Sequence, residues 1–123
     1  MNKFCFLFLF LPIISFGQTT DTSGIQWKEL EWDFGKVKFD NPVNHIFKFV
    51  NKSDKVAIII SGESSCGCTH PVWKTGDILP GDSAFVSATY NSKTEGVFNK
   101  QIIIYTTRSP FATKLWLKGE VVR

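Results

Sequence analysis

The chain has 123 residues, with fourteen basic and eleven acidic side chains and a hydrophobic fraction of 43%. That length allows one domain with a real core. The charges nearly balance and no basic run occurs, which argues against nucleic acid or an anionic membrane surface as the partner.

In chain order, the first element is not part of the fold. "MNKFCFLFLFLPIISFGQ" opens with one basic residue, Lys3, and runs apolar from Phe4 to Ile14. It ends in Ser15-Phe16-Gly17, with small residues where a signal peptidase reads. The pattern predicts a secretory signal peptide over 1–17, cleaved between Gly17 and Gln18. The apolar run is short for a membrane span, so none is expected after cleavage. Cys5 lies inside that run, so it is not expected to carry a lipid anchor. The expected location is the periplasm or the medium. Removing the signal takes away Lys3 and no acidic residue, so the net charge falls from +3 to +2.

Residues 18–28 read as an N-terminal segment and 29–123 as one β domain. In "WKELEWDFGKV", Leu30, Trp32 and Phe34 share a face, and Gly35 breaks or bulges the strand. Asp40 to Pro42 is a turn. Val43, Phe47 and Phe49 line one face of the next strand. "NKSDK" (51–55) is a tight polar turn. "VAIIIS" has no polar face and predicts a central strand buried on both sides. "TGDILPGD" is a loop turning at Pro80-Gly81. In "SAFVSATYN", Ala84, Val86, Ala88 and Tyr90 point inward. A turn ends at Gly96, and "NKQIIIYTT" and "TKLWLKGEVV" close the chain. No stretch holds a helical period.

Six or seven short strands separated by turns predict an all-β, two-sheet antiparallel sandwich, with a small barrel as the alternative. The two distant cysteines that bridge many immunoglobulin sandwiches are missing. Cys66 and Cys68 are too close in sequence to span a core about 10 Å thick.

The segments "WDFGKVKFDNPVNHIFKFVNKSD", "SSCGCTHPVW", "LPGDSAFVSATYNSKTEGVFNKQIIIYTT" and "LWLKGEV" follow one another in an order that resembles the bacterial family named domain of unknown function 1573. The resemblance covers about Leu30 to Val122. It implies an immunoglobulin-like sandwich of about seven strands, similar to domains of cilia, centrosome and pilus-chaperone proteins. It also implies export, often as a single-domain protein. His70 lies outside the motif.

"SSCGCTH" holds the two cysteines that survive signal removal. An even count in an oxidising compartment favours a disulfide. Fully extended, residues two apart have Cα atoms roughly 6.5 Å apart, at the edge of the usual range of about 4.4–6.8 Å. Gly67 would permit a sharper turn. A loop this short returns only about 1.6 kcal/mol, and such a bond is easily reduced. The pair is therefore a structural disulfide, a redox pair, or half of a metal site. In the metal reading, Cys66, Cys68 and His70 share one parity and His45 is a conceivable fourth ligand. Two thiolates alone would suit Cu(I). No cofactor is expected.

Enzymatic readings find little support. No Gly-x-Ser-x-Gly turn, paired carboxylates or phosphate-binding glycine loop occurs. A thiol–disulfide exchanger is the exception, although its usual spacing places two residues between the cysteines at a helix N-terminus. A binding module fits better. Edge strands of a sandwich can pair with another chain. Leu115, Leu117 and Val121 alternate inward and leave Lys114, Trp116 and Lys118 as an outward patch for a protein partner. The bland alternative is a tryptophan packed under lysine stems.

Overall fold

The computed structural model describes residues 23–123; the signal peptide expected over 1–17 lies outside the described residues. Eight strands form two four-stranded sheets. The first sheet contains β1 (Ile25–Trp27), β3 (Val43–Asn51), β6 (Ser83–Tyr90) and β5 (Thr69–Trp73), in that order. The second contains β2 (Glu31–Lys38), β8 (Thr113–Val122), β7 (Gly96–Thr106) and β4 (Ile59–Ser64), in that order. Neighbours pair antiparallel except β2 and β8, which run parallel.

Alternation puts the core between the sheets. Phe47 and Phe49 on β3 meet Val86 and Ala84 on β6 by register. Ile102 and Ile104 on β7 lie beside Leu115 and Leu117 of β8 in the same buried layer. Tyr90 stacks on Phe98 across the layer, with ring centroids 4.1 Å apart. The inward faces expected for β3, β6 and β8 are those observed.

Two expectations are corrected. "VAIIIS" forms the edge strand β4 and its lead-in, not a central strand. Ala57 and Ile59 are buried, while Ile60 is 60% exposed. The alternation is intact, but the outward positions are apolar too: Val56, Ile58 and Ile60 are exposed while Ala57 and Ile59 point inward. The second correction concerns β2. Leu30 is 50% and Trp32 40% exposed, so neither is core. Gly35, at φ +71°, sits inside a bulge. The bulge switches the parity, so Val37 is the buried residue of the strand. Phe34 packs against the core from its margin.

Two tryptophans close the open seams of the sandwich. At one seam Trp32 stacks on His45. At the other, Trp73 of β5 leans over Gly62 of β4, where a Cβ would lie 2.8 Å from Cζ3 of the indole.

Tyr90 is 2% exposed, and burial raises the pKa of its phenol. A raised folded-state pKa means the native protein holds this proton more tightly than the unfolded chain does. The stability from Tyr90 is therefore complete below the ordinary tyrosine value near 10 and is lost as pH rises through the raised one. Urea midpoints should fall from about pH 10 upward. Tyr90→Phe should flatten that fall, as denaturant titrations at pH 8 and 11 would show.

Candidate functional site

The Cys-Gly-Cys segment is the corner where the chain leaves one sheet for the other. β4 ends at Ser64 in the second sheet and β5 starts at Thr69 in the first. The corner is tied by its own backbone. Ser65 N donates to Gln101 O (3.3 Å), Thr69 N to Cys66 O (3.4 Å) and Asn91 N to Cys68 O (3.0 Å). The Ser64 hydroxyl lies 2.7 Å from Cys66 O and 2.8 Å from Thr69 O. The turn brings the Cα atoms of Cys66 and Cys68 to 5.2 Å, with the two sulfurs in bonding contact. Cys68 packs against the core.

Gly67 does not use the left-handed conformation; among the described residues, the glycines that do are Gly24, Gly35, Gly76, Gly81 and Gly96. A Cβ at Gly67 would meet nothing within 4 Å. Its role in sharpening the turn is therefore smaller than the sequence suggests. Gly67→Ala should keep both the bond and the fold, with a change within about 0.5 kcal/mol. Intact mass and a thermal melt check this.

The possible metal ligands are not brought together. The turn ends the shared parity of Cys66, Cys68 and His70. His70 pairs with Thr89 and is exposed, while its neighbour Thr69 is buried against the core. His45 is occupied elsewhere: its Nε2 lies 2.5 Å from Glu29 Oε1, its ring stacks on Trp32 at 4.2 Å, and Phe47 meets it edge-on at 4.8 Å. Among the described residues, no group of three or more His, Cys, Asp and Glu side chains could hold a metal ion.

Lys114, Trp116 and Lys118 do share the outer face of the second sheet, but they do not form an open platform. Trp116 is half-buried, between Glu31 and Gln101 by register. Lys118 Nζ binds Glu31 Oε1 at 2.7 Å. Nearby, the bulge leaves an open depression of about 500 Å³ lined by Asp33, Gly35, Lys36, Asn99, Lys118 and Glu120.

Exposed apolar side chains lie on both outer faces; on the second sheet they include Ile60 and Tyr105. On the outer face of the first sheet, Ile46 and Val72 both pair with Ser87, and Phe85 pairs with Lys48 in the next row. Val72 is 62% exposed, Ile46 46% and Phe85 38%. Sequence reasoning missed this face. Part of the signal was available, as Ile46 and Phe85 occupy outward positions of two strands whose inward faces the sequence assigns; Val72 lies on β5, which the sequence reading does not identify as a strand.

The edges of both sheets are blunted. β1 has three residues, β5 carries Pro71, and β2 and β4 each contain a register shift. These are devices that discourage edge pairing. Among the described residues, no helix is long and apolar enough to cross a membrane.

Two sheets of four strands, with core residues alternating inward from both, define an immunoglobulin-like all-β sandwich. The ASH/PapD-like domain 7 of human CEP192 superposes with a TM-score of 0.67 at 9% identity, covering 99% of each chain. A protein of unknown function from Porphyromonas gingivalis W83 gives 0.68 at 12% identity, over 85% of this chain and 51% of that one. This chain thus spans about half of that relative's length. The secreted serine protease VesC from Vibrio cholerae gives 0.62 at 17% identity, over 80% of this chain but 23% of the protease. At these identities the likeness is one of fold. No curated protein matches the chain in sequence. The family model described as "Protein of unknown function (DUF1573)" matches residues 25–121, and the chain belongs to that family.

Proposed function

We propose that the protein is an exported, non-enzymatic binding or structural module of the bacterial envelope, and that it docks a protein partner on the outer face of its first sheet. One observation carries the reading: Ile46, Val72 and Phe85 form an exposed apolar patch in adjacent register rows. Exposed apolar side chains gathered on one face of a sandwich, here flanking Ser87, mark an interaction site. The outward positions around it carry Asn44, Lys48, Thr89 and His70, with no carboxylate among them. The complementary partner is a protein surface with an apolar centre and an acidic rim. The blunted edges favour face-to-face docking over strand addition. Export rests on the sequence of residues 1–17.

The test is a photo-crosslinking residue at Val72 in living cells, with Val97 on the opposite sheet as control. A discrete protein adduct at Val72 alone, lost on Lys48→Glu, supports the reading. No adduct at Val72, or the same adduct from both positions, overturns it. N-terminal sequencing of the chain from a periplasmic extract tests export, and a start at Gln18 is expected.

A further inference from the structure

We infer that the Cys66–Cys68 bond is a reversible thiol–disulfide exchange site, in which Thr69 is positioned to stabilise the thiolate released on reduction. Thr69 is 1% exposed, yet its hydroxyl oxygen lies 3.7 Å from Cys68 Sγ and 3.9 Å from Cys66 Sγ. A disulfide sulfur is a weak acceptor, whereas a thiolate accepts strongly from a hydroxyl. A buried hydroxyl aimed at both sulfurs therefore gains most when the bond opens.

Three further features allow the bond to open without loss of the fold. The corner is held by Ser64, Ser65, Thr69 and Asn91 through hydrogen bonds that do not involve sulfur. The closed loop is too short for the bond to matter much to chain entropy. Gly67 is exposed and presents no side chain to an approaching thiol. The titratable groups bordering the corner are Glu63 on β4, His70 on β5, Tyr90 on β6, and Lys100, beside Gln101 on β7.

The exchange balances with a low-molecular-weight thiol as reductant. Its thiolate attacks Cys66 Sγ, because Cys68 is the sulfur-bearing residue packed on the core. The Cys66–Cys68 bond breaks and its electron pair leaves on Cys68 as a thiolate, which accepts the Thr69 hydroxyl hydrogen bond. A second thiol attacks the outer sulfur of the mixed disulfide. Cys66 departs as a thiolate and a small-molecule disulfide forms. Both protein thiolates take up protons, so two electrons and two protons pass to the protein.

The test is a glutathione redox titration of the purified chain, read by alkylation and intact mass, with the β-sheet circular dichroism followed in parallel. Reversible opening with the sheet signal unchanged is expected. Thr69→Val should move thiol alkylation to higher pH and disfavour reduction by about tenfold, equivalent to about 30 mV for a two-electron couple. Thr69→Ser should restore both. Reduction only on unfolding, or an alkylation profile unchanged in Thr69→Val, overturns the inference. Should Thr69→Val fail to fold, Cys66→Ser decides. Its remaining Cys68 should alkylate at lower pH than an ordinary cysteine, and a profile at or above pH 8.5 overturns the inference.

Discussion

Asn51→Asp should destabilise the protein far more at pH 7 than at pH 4, while Asn51→Ala should cost the same at both. Asn51 is fully buried at the end of β3. Its Nδ2 donates to Lys55 O (2.8 Å) and Ile78 O (2.9 Å), and its Oδ1 accepts from the Ser53 amide (3.0 Å) and hydroxyl (2.6 Å). Its own backbone accepts from Gly81 N and donates to Asp82 O. The side-chain amide thus joins the 51–55 turn to the Ala57–Ile78 bridge, while the backbone of the same residue ties in the turn at Gly81. Alanine removes the donors, but Ile78 O keeps Ala57 N and Lys55 O keeps the Ser53 hydroxyl. A cost of about 1–3 kcal/mol is expected.

Aspartate is worse because it places a carboxylate oxygen against buried carbonyls. The expected cost at neutral pH is about 3–5 kcal/mol, the scale of an uncompensated buried charge. Burial would raise the folded-state pKa of the new carboxyl above the unfolded value near 3.9. Stability is then retained below that value and lost as pH rises through the folded one. Each kcal/mol corresponds to roughly 4–8 °C in a domain of this size class. Equal melting losses for Asn51→Asp at both pH values would refute the buried-amide account.

The sequence carried the fold because alternation is a local signal. Ala84, Val86, Ala88 and Tyr90 could be assigned inward without knowing their partners, and they are buried. Failures had two causes. Around Gly35 one extra residue changes which side chains face in, and only pairing with β8 reveals it. At Val56, Ile58 and Ile60 the outward positions are themselves apolar, so an edge strand reads like a buried one. The corner at Cys66 and Cys68 was visible as a motif. The Thr69 hydroxyl was not, because its direction depends on β5 joining the first sheet beside Tyr90. The apolar face of Ile46, Val72 and Phe85 gathers three strands from separate parts of the chain, so no window of sequence displays it. The Glu29–His45–Trp32 cluster likewise forms only where β2 and β3, in different sheets, approach at a seam.

Gly119→Ala should cost about 1–3 kcal/mol by overpacking, and the cause should be the Phe98 ring. Gly119 pairs with Phe98 across β8 and β7. A Cβ there would lie 2.6 Å from Phe98 Cζ, 2.8 Å from Cε1 and 3.0 Å from Gly35 O. The ring has little room to retreat, since it stacks on Tyr90 and is met by Phe34, with centroids 6.4 Å apart. The carbonyl belongs to the bulge of β2, so three strands converge on a position that tolerates only hydrogen. Phe98→Leu alone should also destabilise, through lost burial and ring contact. Combined with Gly119→Ala it should cost less than the two singles together, because leucine frees the space the new methyl needs. Gly35 offers the contrast. It has open space around it but a left-handed backbone, so Gly35→Asn should be milder than Gly35→Val. No such side-chain ranking should separate small substitutions at Gly119, where crowding decides. Strictly additive costs in the Gly119→Ala, Phe98→Leu pair would show that the ring is not what excludes the methyl group.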